Sequence, residues 1–226
     1  MNAQSAPQIA LETSVRAASV AVDLGGRVAE RSLEPERSHA SDLLPALSEI
    51  LQDLGTRPAD LQLVVVGLGP GSYTGLRVGV ATALGLMEGT GADLVGVPSV
   101  EALAFRHLAP GEEGCVVLDA RGGELYYARY ARGESDVRVL EEPCALGPDA
   151  LAERLPRSGP IFGDPGTRRA AKFDEATSAR LRTDLVPDAR AVLQLGQARY
   201  ASGGAQDPAQ VSPLYLRPFG VKTRKR

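Results

Sequence analysis

Tryptophan is absent from the 226 residues, and cysteine, histidine and methionine occur twice each. The cysteines, Cys115 and Cys144, form no Cys-x-x-Cys pair, which excludes a zinc knuckle and a dithiol redox motif and fits reduced thiols in a cytoplasm. With His39 and His107 as the only histidines, a metal centre built on several imidazoles is excluded too. Cationic excess is also missing: 25 Lys and Arg against 28 Asp and Glu give a net charge of -3 and a pI near 5.5. A broad nucleic-acid-gripping face needs clustered cations. The one basic cluster, Lys222, Arg224, Lys225 and Arg226, is expected to be a solvated tail, with RNA contact as its alternative. The opening MNAQSAPQIALETS has neither a basic start nor an apolar run of signal length, so no export signal is expected and the chain is placed in the cytoplasm.

A long apolar run is approached once, from Val64 to Met87. Three early glycines, Pro70 and Arg77 interrupt it, so a buried core element is expected and no membrane span. With 43% hydrophobic and 23% charged residues the composition is that of a globular protein, and the length suits one large domain or two small ones. Within the run, Val64, Val65 and Val66 suit a strand covered on both faces. Gly67, Gly69, Pro70 and Gly71 break that strand, and a helix follows from Thr74 to Met87. Gly75, Gly79 and Ala83 share one face of it, a stripe narrow enough for another helix to approach closely. So weak a helix needs packing to hold it, and the stripe is read as a packing surface before a catalytic one.

Elsewhere, strands are expected at Ile9 to Ser14, Ala18 to Leu24 and Arg27 to Leu33, the last two joined by a Gly25-Gly26 turn. Leu43, Leu47, Ile50 or Leu51, and Leu54 then recur at helical spacing, with Gly55 placed to stop the helix and Pro45 to bend it or mark its first turn. A strand at Leu94 to Val97 leads to a helix from Ser99, its expected N-cap, to Leu108. The order then repeats: strands at Cys115 to Asp119, Leu125 to Tyr130 and Val137 to Glu141, a helix from Pro148 to Leu155, a strand at Pro160 to Phe162 and a helix from Arg190 to Ala201. Two related subdomains are therefore expected, 1–109 and 110–226, each an α/β unit with a mixed sheet flanked by helices.

Three segments carry a family resemblance: Gly69-Pro70-Gly71-Ser72-Tyr73-Thr74-Gly75-Leu76-Arg77-Val78-Gly79, Leu118-Asp119-Ala120-Arg121-Gly122-Gly123-Glu124-Leu125-Tyr126, and Pro213-Leu214-Tyr215-Leu216-Arg217. Ile9 to Ser14 and Arg37-Ser38-His39 add to them. In this order, across nearly the whole chain, they resemble the bacterial TsaB (YeaZ) family of tRNA threonylcarbamoyladenosine (t6A) biosynthesis. The resemblance implies the actin-like, Hsp70-like (ASKHA) fold. It implies a role as a non-catalytic subunit that binds and activates a TsaD-like partner, which with a TsaE-like ATPase transfers a threonylcarbamoyl group to N6 of adenosine 37 in tRNAs reading ANN codons. tRNA is then touched only through the complex, ATP or ADP and metal belong to partner subunits, and the chain alone is a homodimer. The helices implied to pair with the partner are the leucine helix and the glycine helix. The candidate interface residues are His39, Leu43, Leu47, Ile50, Tyr73, Thr74, Gly75, Leu76, Arg77, Gly79, Val80, Thr82, Ala83 and Leu86.

The alternative is an ATP-dependent or metallopeptidase-like enzyme of the same fold superfamily. Against a metal site, Ser99 and Leu103 stand where TsaD-like relatives carry two histidines four apart on a helix, and the nearby Glu101 is read as part of a solvated face. Against a Walker loop, Gly75 is followed by Leu76-Arg77 where Lys and Ser or Thr are needed, and the glycine spacing misses the dinucleotide pattern by one residue. Actin-like ATPases hold phosphate in two hairpins, each an acid followed by glycine and a hydroxyl. Glu12-Thr13-Ser14 lacks the glycine, and Asp119-Ala120-Arg121-Gly122-Gly123 lacks the hydroxyl. Gly163-Asp164-Pro165-Gly166 is read as a plain turn, His39 as a helix-start hydrogen-bonding residue, and Tyr126, Tyr127 and Tyr130 as strand residues packed against a neighbouring helix.

Overall fold

The computed structural model describes residues 6–33 and 39–217, with side chains for all of these except 39–41. The basic tail and Arg37-Ser38 lie outside the described residues.

Two five-stranded mixed sheets carry the fold. The first contains β1 (Gln8–Glu12), β2 (Ser19–Leu24), β3 (Arg27–Ser32), β4 (Leu63–Gly67) and β5 (Asp93–Val97) in the order β3-β2-β1-β4-β5. β1, β2 and β3 pair antiparallel, whereas β4 joins β1, and β5 joins β4, in parallel. Parallel neighbours require crossovers, supplied here by α1 (His39–Asp53) and α2 (Tyr73–Thr90). The second sheet repeats the plan. β6 (Glu113–Arg121), β7 (Glu124–Arg132), β8 (Val137–Leu146), β9 (Ile161–Gly163) and β10 (Leu181–Arg182) lie in the order β8-β7-β6-β9-β10, the first three antiparallel and the last two parallel. This is the duplicated arrangement of the actin-like fold. Between the sheets in sequence lies α3 (Ser99–His107), and after β8 come α4 (Pro148–Arg154), α5 (Thr167–Ala171), α6 (Glu175–Arg180) and α7 (Ala189–Gly203).

Strand alternation sends each side chain of the first sheet to one of two cores. Ile9, Leu11, Val64 and Val66 meet Leu43, Leu47, Ile50 and Leu51 of α1 and Val80 and Ala83 of α2. Ala10 and Val65 face the other way, onto α7, in a cluster that α3 completes beyond that helix. That second cluster continues into Val116, Leu118, Ala128 and Tyr130 of the other sheet, so one core joins the halves. Cys115, Val117 and Tyr127 fill a third cluster on the far side, and burial there pushes the Cys115 thiol up to about 12, which keeps it an unreactive packing residue. Tyr126 and Tyr130 pack on the shared core, and Tyr127 on the opposite side of the sheet.

The two sheets lie on either side of residue 110 in sequence, and one helix crosses between them. α7 returns to the first sheet, where a Cβ at Gly196 would overlap Val65, and Gln197 Nε2 donates to Gln8 Oε1 (2.9 Å) and Asp23 Oδ2 (2.8 Å). β8 extends to Leu146, and α5 and α6 are additional short helices. Pro45 sits exposed inside α1, whose backbone passes through it. Ser99 does not cap α3: its Oγ accepts from the Gly69 N–H (2.9 Å) in the preceding loop. Glu101, expected on a solvated face, is buried and ion-paired with Arg199, which also reaches Asp136 (3.2 Å).

Candidate partner interface

Ser72 caps α2, its Oγ accepting from the Gly75 N–H (3.2 Å), and its own N–H donates to the Ser14 carbonyl (2.7 Å). These bonds seat the helix on the loop that follows β1. The glycine stripe is spent on this contact. A Cβ at Gly75 would overlap the Thr13 carbonyl oxygen, one at Gly79 the Thr13 hydroxyl, and one at Gly71 the Ser14 carbonyl oxygen. The close approach legible in the sequence is therefore between α2 and its own chain's β1 loop, and not between α2 and a second helix.

The fourteen candidates separate on this geometry. Gly75, Leu76, Gly79, Val80 and Ala83 are buried on the inward face of α2. Leu43, Leu47 and Ile50 are buried under α1, and Leu86 packs half-buried against the same core. Thr82 is half-buried. His39 opens α1, and its side chain lies outside the described residues. Tyr73, Thr74 and Arg77 alone are exposed, and together with Val78 and Ala81 they line a shallow groove of about 340 Å³. Arg77 donates to the Tyr73 hydroxyl (3.3 Å) and lies 5.5 Å from the centre of its ring. Val78 and Ala81 were missed because the small-residue stripe drew attention to the opposite side of the helix, although Arg77 and Ala81 are one turn apart on the outward face.

Tyr215, in the third of the segments that carry the resemblance, is brought to the same place. It stacks on Tyr73 with ring centres 4.9 Å apart, and these two make up half of the exposed large hydrophobic side chains among the described residues, with Leu44 and Val186.

Both hairpins that would hold phosphate in an actin-like ATPase are filled from within the chain. At the first, Glu12, Thr13 and Ser14 are buried beneath α2 and its loop. The Ser14 N–H donates to Glu12 Oε1 (2.6 Å), and burial raises the Glu12 carboxyl above its ordinary value. At the second, Asp119 Oδ1 accepts from the Arg121 N–H (2.8 Å), and Arg217 Nη1 donates to the carbonyls of Ala120 (2.6 Å) and Arg121 (2.9 Å). The turn at Asp164 closes on itself: Asp164 Oδ1 accepts from the N–H groups of Gly166 and Thr167 and from Thr167 Oγ1 (3.0, 2.9 and 2.7 Å). Among the described residues, no three His, Cys, Asp or Glu are grouped to hold a metal ion, and no helix is long and apolar enough to cross a membrane.

Comparison with known proteins agrees with this architecture. Residues 24–177 match the family model described as TsaD, tRNA N6-adenosine threonylcarbamoyltransferase. The tRNA threonylcarbamoyladenosine biosynthesis protein TsaB of Escherichia coli is 31% identical over 92% of this chain and 94% of its own length. Two solved structures from Pseudomonas aeruginosa superpose closely. One is an uncharacterized protein with similarity to the peptidase YEAZ (TM-score 0.83, 26% identity, 94% of this chain and 100% of that one). The other is YeaZ (TM-score 0.81, 26% identity, 93% and 100%). With its duplicated mixed sheets and this similarity along nearly its whole length, the chain belongs to the TsaB (YeaZ) family.

Proposed function

We propose that this chain is a subunit of the t6A-forming machinery that binds and activates a TsaD-like catalytic partner through the outward face of α2, and that it performs no chemistry itself. One observation carries the reading: α2 buries its glycine face on Thr13 and leaves Tyr73, Thr74, Arg77, Val78 and Ala81 around an open groove. Tyrosine and arginine beside small apolar residues are the composition of an interface centre. The names of the relatives, TsaB biosynthesis proteins, and the TsaD family match point to the pathway and to the kind of partner.

The reaction then belongs to the partner. Threonylcarbamoyl transfer to N6 of adenosine 37, in tRNAs reading ANN codons, takes place on the TsaD-like subunit, with ATP or ADP and metal held there or on a TsaE-like ATPase. Several features of this chain favour that division. The Ser99 hydroxyl is engaged by Gly69 and Leu103 is fully buried, so neither offers a metal ligand, and the hairpins are closed as described. Without a partner, two copies cover their α2 faces by pairing, and the TsaD-like subunit displaces one of them.

Size-exclusion chromatography with light scattering, on the chain alone and mixed with its own organism's TsaD-like protein, tests the reading together with a transfer assay on tRNA. A shift from homodimer to heterodimer with activity only in the mixture is expected. Transfer by the chain alone, or no association under any nucleotide condition, overturns it.

A further inference from the structure

The chain beyond α7 crosses both halves of the molecule. Gln206 covers the open edge of β5: its N–H donates to the Leu94 carbonyl and its Oε1 accepts from the Gly96 N–H, both at 2.9 Å. Val211 is buried in the core beneath α1 and α2, and the Leu214 N–H donates to the Leu68 carbonyl (2.8 Å). Tyr215 then stacks on Tyr73 at the start of α2. Two residues later Arg217 grips the β6–β7 turn through the Ala120 and Arg121 carbonyls and through Glu124, Nε to Oε2 at 2.6 Å.

We infer that this segment is a strap in which Arg217 is a positioning residue: by fastening the strap to the β6–β7 turn it holds Tyr215 over Tyr73 and so sets the shape of the α2 face. Tyr215 is 46% exposed and Tyr73 38%, so little burial holds the stack. A half-exposed aromatic pair does not offset the entropy of ordering the residues that carry it, so fixed points are needed on both sides. Leu214 is one and Arg217 the other. The second is firm because charge-assisted bonds run from one guanidinium to two carbonyls of the turn and to the Glu124 carboxylate. The consequence for partner binding rests on the function proposed above: the TsaD-like subunit meets a surface that is half α2 and half strap, and the β6–β7 turn of the second half controls its geometry without touching the partner.

The absence of tryptophan supplies the test. In a Tyr215→Trp chain all tryptophan emission reports the stack. Adding Arg217→Ala is expected to shift that emission to the red, as in water, with Arg217→Lys intermediate and the far-ultraviolet circular dichroism unchanged. Toward the TsaD-like partner, Tyr215→Ala and Arg217→Ala are each expected to weaken affinity about tenfold, and the double variant no further than Tyr215→Ala alone, because both remove one contact. Unchanged emission in the Arg217 variants, or additive losses of affinity, overturns the proposal. If the parent chain does not bind the partner, the functional reading fails while the emission still decides the strap. If Arg217→Ala does not fold, Arg217→Lys and Glu124→Gln loosen the same clasp from its two sides and are read in the same way.

Discussion

Gly79 of α2 lies against the side chain of Thr13, close enough that a methyl group there would overlap the Thr13 hydroxyl. Six residues along the same helix, Gly85 has nothing within 4 Å of the position of its absent Cβ. One substitution at these two sites therefore has opposite signs. Gly79→Ala is expected to lower stability by roughly 1–3 kcal/mol through overpacking. Gly85→Ala is expected to raise it by about 0.5–1 kcal/mol through helix propensity alone. Urea denaturation of both variants checks this. Thr13→Ala in the Gly79→Ala background should recover part of the loss, because it removes the overlapped atom.

The outward face of α2 calls for a different substitution. Ala81 is exposed and lines the groove, so Ala81→Glu is expected to leave the melting temperature within a few degrees while weakening association with the TsaD-like partner at least tenfold. Gly79→Leu is expected to disrupt the contact with the loop after β1 first, and so to report nothing about the partner. Light scattering of the mixture and a thermal melt of the chain alone distinguish the two.

Glu12 makes stability depend on pH in an unusual direction. Its side chain is fully buried, and burial raises its carboxyl above the ordinary 4.5. The folded state thus holds a proton that the unfolded chain releases, so stability from this group is complete below 4.5 and is lost as pH rises through the folded value. Glu12→Gln is expected to flatten the fall in melting temperature as pH rises from 4.5 through the folded value, and to make the protein more stable than the parent above it. An unchanged pH profile in differential scanning fluorimetry would count against a buried protonated carboxyl.

Arg199 holds the one buried carboxylate of α3, Glu101, beside the Tyr130 hydroxyl, which has no hydrogen-bond partner. Arg199→Ala leaves Glu101 buried without its counter-charge, at a cost of roughly 2–4 kcal/mol. Arg199→Ala with Glu101→Leu should cost less than Arg199→Ala alone, since no charge is then stranded. Chemical denaturation of the single and double variants checks it.

Much of the fold was legible because its signals are local. The three valines of β4, the diglycine turns and the leucine spacing of α1 each act within a few residues, and the repeat of strand order disclosed the duplication. The setting of α2 was half legible. Gly75, Gly79 and Ala83 announce a close approach, but a stripe of small residues does not say what approaches, and here it is Thr13, some sixty residues earlier, against both glycines. The roles of Tyr215 and Arg217 were invisible for the same reason: a stack on Tyr73 and a clasp on Ala120 depend on contacts spanning 142 and 97 residues, which no periodicity encodes. Glu101 reads as solvated until Arg199 is placed beside it.

The return of α7 to the first sheet governs how the chain is made. β1, β4 and β5 leave the ribosome as soon as residue 97 is clear, yet the helix that covers Ala10 and Val65 ends at Gly203, 203 − 97 = 106 residues later. At synthesis rates of about 5–20 residues per second this leaves the inner face of the sheet bare for roughly 5–20 s in every copy translated. The nascent chain is thus expected to need shielding of apolar surface at the exit tunnel, and a truncation before residue 189, which removes α7, is expected to aggregate.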